Sequence, residues 1–294
     1  MDFLNRIISE ETLYFWETFI QDWGLVIATA ILVIELIVLA FKKQFSLRVL
    51  GDAFANFGTL AMFYAVGYVL VGAAYVAGFY WFYLNLSITQ LPINGWVILT
   101  CVLLADLAYY WEHRFMHRCG IGWATHTVHH SSPYFNISVA YRFGPLDGIM
   151  PFFFHLPLAI LGFNPIVIIA AEGFVQLYQT LLHTEMVKKF PRPIEWLFNT
   201  PSHHRVHHGS NPEYIDKNYA GIFIIWDKLF GTFAEEKAKV TYGITVPVDS
   251  INPVKVFFIG LTRLAKQVKK TDGLINKLGV IAMPPGWSPK PKLK

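Results

Sequence analysis

Cysteine, charge and nucleotide-binding loops are all scarce in this sequence, and each scarcity removes a class of function. Only Cys101 and Cys119 are present, one inside an apolar run and one beside a group of histidines, which excludes a disulfide framework. Charged residues make up 15% of the 294 residues, against roughly 25% in an ordinary soluble domain. None occurs between Asp52 and Asp106. That run is too long for one bilayer crossing of about 20 residues and long enough for two, with "LPING" (Leu91 to Gly95) as the turn between them. The formal net charge of +4 does not point to nucleic acid, because the basic residues sit beside apolar runs and near the C-terminus. No His-Pro-Gly-Gly stretch and no G-x-G-x-x-G loop occurs, so neither a fused haem module nor a dinucleotide site is expected.

An earlier apolar run, Trp23 to Phe41, reads as a further span with one carboxylate, Glu35, which is expected to face protein or to snorkel. The N-terminus offers no basic region followed by a short apolar core and a small-residue cleavage site, so insertion is expected from internal spans. Lysine and arginine set the orientation. Glu10, Glu11, Glu17 and Asp22 precede the first span, against Arg6 alone, whereas Lys42, Lys43 and Arg48 follow it. The first span then runs from outside to inside, the second returns, and the third, about Gly95 to Trp111, delivers "EHRFMHR" to the cytoplasmic face. The later basic residues, Lys188, Lys189, Arg192 and the closing "KPKLK", fall on that side if Ile149 to His183, broken at "GFNP", is a helical hairpin entering and leaving from the cytoplasm. Both of its arms look short for full crossings.

The expected architecture is therefore an all-α integral membrane protein with about three transmembrane helices plus a helical hairpin, and a cytoplasmic helical cap. Residues 1–95 form a membrane region with two spans, 96–236 the third span, hairpin and cap, and 237–294 a basic tail.

All eleven histidines lie between His113 and His208. Nine follow a pattern: His113 and His117 are four apart; His126, His129 and His130 make a His-x-x-His-His box; His204, His207 and His208 repeat it; His183 closes the hairpin. On a helix such spacings share a face, so each group is expected to converge on one point. Neutral imidazole is the commonest metal ligand, and one zinc takes three or four protein ligands. Eight or nine histidines thus amount to a site for two metals. All-nitrogen ligation suits iron, copper, zinc or nickel, so spacing alone leaves the element open. His155, alone in the apolar hairpin, reads as a core histidine, and His203, about 100° around the helix from His204, as a support for the ligands.

Asp106, Tyr110, His113 and His117 form one helical stripe. An Asp in a span is expected to accept a ligand N–H and fix its tautomer; a helix–helix contact is the plainer alternative. Glu112 lies off this stripe and reads as a solvated face. After the last box, Asp216, Asn218 and Asp227 read as caps or hydrogen-bond partners of the ligand helices, with surface charge the alternative for Asp227 beside Lys228.

Taken together, "DLAYYWEHR", "HRFMH", "HTVHH", "LYQTLLHTE", "NTPSHHRVHHGSN" and "IDKNYAGIFIIWDKLFGTFAEE" resemble the fatty acid hydroxylase superfamily over about Val97 to Glu236, and within it the alkylglycerol monooxygenase branch. The resemblance implies a non-haem di-iron site that activates O2 to hydroxylate a C–H bond of a lipid. It implies that His113, His117, His126, His129, His130, His204, His207 and His208 are iron ligands, with His183 a ninth. An alkylglycerol ether lipid is a candidate substrate, and with neither a fused haem module nor a dinucleotide loop the electrons are expected from a separate reductant, either a reduced pterin or a cytochrome b5- or ferredoxin-type protein. Lipid desaturases and methyl oxidases use nearly the same boxes, and outside the enzymes a non-catalytic metal- or lipid-binding membrane protein is the alternative. One departure stands out: the branch's animal members continue with further hydrophobic segments after the last box, where this chain is short and lysine-rich.

Overall fold

A computed structural model describes residues 2–43, 45–70 and 72–289; the closing "KPKLK" lies outside the described residues. Thirteen helices follow in order: α1 (Asp2–Asn5), α2 (Glu10–Phe41), α3 (Leu47–Leu70), α4 (Gly72–Leu86), α5 (Gly95–Arg118), α6 (Gly120–His130), α7 (Met150–Ile160), α8 (Pro165–Leu182), α9 (Arg192–Leu197), α10 (Pro201–His207), α11 (Ile225–Leu229), α12 (Pro253–Lys270) and α13 (Leu274–Ala282). A 3-10 turn spans Ile137–Tyr141. No β-strand occurs among the described residues. Side-chain caps mark the long helices: Ser9 accepts from the Thr12 amide, Asn94 from Val97, Asn164 from Ile166 and Asn252 from Lys255. Each satisfies an amide that the first turn leaves without an intrahelical partner.

Among the described residues, four helices are long and apolar enough to cross a bilayer: Glu10–Phe41, Leu47–Gly67, Gly95–Arg118 and Pro165–Leu182. The protein is thus an all-helical integral membrane protein, with two differences from the expected spans. The charge-free run from Asp52 to Asp106 is divided among α3, α4 and α5 rather than between two helices. Of the hairpin arms, α7 is short, 11 residues with Pro157 inside it, but α8 has 18 residues and reaches spanning length. Glu172 breaks the apolar run of α8 in the sequence; in the fold it lines a cavity.

The chain ends of these helices sort into two levels. At one level α2, α5 and the hairpin turn meet: Asn164 Nδ2 donates to Glu10 Oε1 (2.6 Å), Ile8 N to Ile93 O (2.8 Å), and Leu91 N to Gly162 O (2.9 Å). Gly162 has φ +99°, a conformation that the absence of a Cβ allows. At the other level lie the C-terminal ends of α5 and α8 and all of α6 and α10, so both arms of the hairpin open toward the histidines. Glu35 faces protein, accepting from Ile137 N (2.8 Å) and from the Thr184 hydroxyl. Arg142, fully buried, ties α3 to the end of α6 by donating to Asp52, Asn56 and Val128 O.

Residues 253–282 are not a loose basic tail. Val256, Phe257 and Gly260 of α12 are buried, and α12 is the main packing partner of α6. Lys255, Lys266, Lys269 and Lys270 occupy its outer face. Read by composition the segment is merely basic; read at a 3.6-residue period it is an amphipathic helix that covers the histidine-bearing one.

Candidate metal centre

Short helices position the two His-x-x-His-His boxes. α6 starts at Gly120, whose missing side chain lets the α13 backbone approach: a Cβ there would clash with Val280 O. α10 starts at Pro201, the first-turn position where a missing N–H costs nothing, with Thr200 as its cap. His183 follows the last residue of α8.

The nine patterned histidines come together in two sets. His113, His117, His126, His130 and His207 form one, and His129, His183, His204 and His208 the other; within each set, one ring nitrogen per residue lies within 4.8 Å of all the rest. This division differs from the expectation that each sequence group makes its own site. Residues four apart on a helix differ by about 40° in direction, and residues three apart by about 60° the other way. Accordingly each His-x-x-His-His box gives its outer pair to one set and its middle histidine to the other. The pair His126 and His130 joins the five while His129 crosses to the four; the pair His204 and His208 joins the four while His207 crosses to the five. The sets adjoin through His130 and His208, whose rings stack at 4.4 Å.

Hydrogen bonds fix the tautomers of three rings. His113 Nδ1 donates to Tyr219 O (2.9 Å), His207 Nδ1 to Lys217 O (3.0 Å) and His183 Nδ1 to Gln179 O (2.9 Å). Their Nε2 atoms therefore carry lone pairs, and these meet other ring nitrogens head-on: His113 with His126 (2.9 Å), His207 with His130 (3.1 Å), His183 with both His129 (3.2 Å) and His204 (3.0 Å). One lone pair cannot accept well from two rings at once. Moreover His117 Nε2 and His208 Nε2 are buried with no partner. Buried nitrogens left this way are costly, and a cation between them removes the cost. The donor set thus fits two metal ions with nitrogen preference. Burial first, and then the neighbouring imidazoles, lower the pKa values of His126, His129, His130, His204, His207 and His208, and burial takes His183 down to about 4. At neutral pH these rings keep their lone pairs free for a metal.

The loop after α10 holds the rings from behind. Lys217 O and Tyr219 O, two residues apart, receive His207 and His113. Between and beside them Asp216 (φ +60°) and Asn218 (φ +56°) take the left-handed conformation that Asp and Asn tolerate best among residues with a Cβ. Asn218 Nδ2 donates to His203 O (3.1 Å) and Ala234 O (2.8 Å), so it does bond a histidine-bearing helix. His203 Nε2 lies 3.1 Å from Glu195, outside both sets. Asp227 is not surface charge: it is fully buried and accepts from Tyr219 N, Ala220 N and the Thr232 hydroxyl. Asp106 accepts from no histidine. Its partners are Ile222 N, Phe223 N (3.0 Å) and Trp226 Nε1 (2.8 Å), so it anchors the loop whose carbonyls orient the rings. Tyr110 also stays off the rings' nitrogens, bonding Thr232 and Arg114.

Several site residues escaped the sequence reading. Glu112 is buried, not solvated, and lines the same cavity as the histidines. Arg205, inside the last box, holds Glu236 through two nitrogens and donates to the carbonyls of Thr184, Val187 and Lys188, which locks α10 to the hairpin exit. An arginine between histidines was the available signal. The cavity, about 830 Å³, reaches His113 and His126 of one set and His129, His183 and His204 of the other, and runs from them between the span-forming helices.

Residues 98–232 match the family model described as fatty acid hydroxylase. Among curated relatives, alkylglycerol monooxygenase of Danio rerio is 46% identical over 211 residues, 71% of this chain and 47% of that protein. The Homo sapiens enzyme of the same name is 44% identical over 211 residues, again 71% and 47%. Ornithine lipid hydroxylase OlsE of Rhizobium tropici is 31% identical over 145 residues, 49% of this chain and 43% of that protein. The chain thus spans about half the length of the alkylglycerol monooxygenases it matches. No solved structure gives a significant match. Through the segment that carries both histidine sets, the chain belongs to the fatty acid hydroxylase family and is a homologue of the alkylglycerol monooxygenases.

Proposed function

We propose that this protein is a di-iron lipid monooxygenase, which converts R–H, O2, two electrons and two protons into R–OH and water, with an alkylglycerol ether lipid as substrate. The observation that supports this reading best is that both buried imidazole sets open onto one cavity among membrane-spanning helices. Two iron ions would be held by the five-histidine and four-histidine sets, and when bound they supply the reduction of O2 and the oxidation of the C–H bond. The chain's own contribution is placement. Backbone carbonyls of Gln179, Lys217 and Tyr219 hold Nδ1 protons and so aim Nε2 lone pairs inward. The walls from Leu60, Phe63, Met116 and Phe143 exclude water and seat an alkyl chain. Hydroxylation of the carbon beside the ether oxygen gives a hemiacetal, which collapses to an aldehyde and a glycerol. In this reading the histidine end faces the cytoplasm, where a separate donor, a reduced pterin or a small redox protein, delivers the electrons.

The test is metal analysis with turnover. Protein purified under reducing, iron-replete conditions is expected to carry about two irons per chain and to convert 1-O-hexadecylglycerol to hexadecanal only with O2 and reductant. His129→Ala and His207→Ala are expected to abolish turnover in folded protein. One zinc per chain, or iron without O2 uptake, refutes the proposal, and an alkene product would assign a desaturase instead.

A further inference from the structure

Beyond the histidines, the cavity contains an arrangement that the chemistry above leaves unused. Glu112 is 6% exposed, lines the cavity, and its Oε2 is buried without a hydrogen-bond partner. His155 Nδ1 is 3.9 Å away and bonds Pro151 O at 3.0 Å instead. Farther along the wall, Glu172 receives one hydrogen bond, from the Tyr75 hydroxyl (2.6 Å). Asp147, also on the wall, has both oxygens occupied by Thr125 and Gly144 N. No lysine or arginine lines this cavity among the described residues.

A carboxyl group buried without a donor is costly, and it persists where a ligand completes it. What it lacks is a hydrogen-bond donor. A phosphate dianion brings acceptors where a donor is lacking, and no lysine or arginine among the described residues of the wall is there to receive it. Hydroxyl groups supply donors without charge. The position is also informative: Glu112 immediately precedes His113, so a head group held by Glu112 brings the atoms next to it up to the histidines. The alkyl chain is left to run along Phe63, Val76 and Leu177 between the spans.

We propose that Glu112, together with Glu172, reads the lipid head group: the cavity takes a lipid whose head consists of hydroxyl donors, and rejects the corresponding phosphate ester. This rests on the ether-lipid reading above and deepens it. Glu112 is then a specificity-determining residue, and a phosphorylated ether lipid must lose its phosphate in a separate hydrolytic reaction before this protein can use it.

Equilibrium binding tests this without turnover. Intact detergent-purified protein binds radiolabelled 1-O-hexadecylglycerol in competition with the unlabelled lipid, its 3-phosphate, and its 2,3-di-O-methyl ether, which keeps the shape and loses both donors. The phosphate and the dimethyl ether are each expected to compete roughly 10-fold more weakly than the diol, of the order of one lost hydrogen bond. In Glu112→Leu the preference for diol over dimethyl ether is expected to fall by a similar factor, and in the near-isosteric Glu112→Gln the discrimination against phosphate is expected to narrow. Failure of the wild type to bind the diol, equal binding of the phosphate ester, or an unchanged preference in a folded Glu112→Leu overturns the proposal. Should neither variant fold, the wild-type series decides alone. Selective diol binding by iron-loaded protein that shows no O2-dependent turnover would instead refute the enzymatic reading and leave the head-group assignment standing.

Discussion

Replacing Asp106 by alanine strips three buried donors of their acceptor at once, and the consequence can be followed to the metal centre. The carboxylate is fully buried and receives Ile222 N, Phe223 N and Trp226 Nε1. Each buried donor left unsatisfied costs about 1–3 kcal/mol. With partial relaxation of the loop, Asp106→Ala is expected to cost about 4 kcal/mol, a large part of the roughly 5–15 kcal/mol that holds a typical domain folded. Asp106→Asn should cost about 2 kcal/mol, since one amide oxygen still accepts from two donors while its NH2 opposes the third. Because the same loop presents Tyr219 O to His113, metal affinity is expected to fall roughly 10-fold. Equilibrium unfolding in detergent reads the first effect, metal titration the second, and amide exchange over 219–223 the link between them. If Asp106→Ala unfolds within about 1 kcal/mol of wild type, with exchange unchanged, Asp227 alone holds the loop and the reasoning fails.

The unequal histidine sets predict unequal responses. His204→Ala leaves three donors in its set and should release about one of two metals, whereas His117→Ala leaves four, enough for a closed site, and should retain both; metal content per chain decides. A pH dependence follows from His183, whose folded pKa is lowered to about 4 against about 6.5 in the unfolded chain. Between these values the unfolded state binds the extra proton, so the metal-free protein is expected to hold its thermal midpoint above pH 6.5 and lose it progressively toward pH 4; a midpoint flat across that window contradicts the burial argument. Gly260→Ala places a methyl against Ala124 O and Thr127 and should destabilise by about 1–3 kcal/mol, measured as a lowered unfolding midpoint, because α12 packs directly on α6.

Which features were legible in the sequence depended on how far the relevant physics reaches along the chain. The nine patterned histidines were visible because a helix repeats every 3.6 residues, so spacing alone puts them on shared faces. Their division into five and four was not visible, since it depends on where α6 and α10 sit relative to each other and to His183. Glu112 was misread for a related reason. The stripe Asp106, Tyr110, His113, His117 marks the side of α5 toward the loop, but the cavity lies on the neighbouring side, Tyr109, Glu112, His113 and Met116. His113 belongs to both, and a single-stripe reading recognises only one.

The two buried aspartates carry the same lesson into chemistry. An acidic residue beside a histidine box suggests a direct hydrogen bond to the ring, yet Asp106 and Asp227 both bind backbone amides of the 219–223 segment. His113, His183 and His207 receive neutral carbonyls in their place, while His117 Nδ1 faces the Asp216 carboxylate at 3.7 Å. A carbonyl holds the Nδ1 proton as firmly in position without placing a second negative charge in a site already short of water, while the two carboxylates are stabilised by amide dipoles that would otherwise lie buried and unpaired. The loop therefore converts two fixed charges into two aimed dipoles. This accounts for Asp227, whereas Asp216 serves the site differently, with its carboxylate 3.7 Å from His117 Nδ1 and accepting from Arg118.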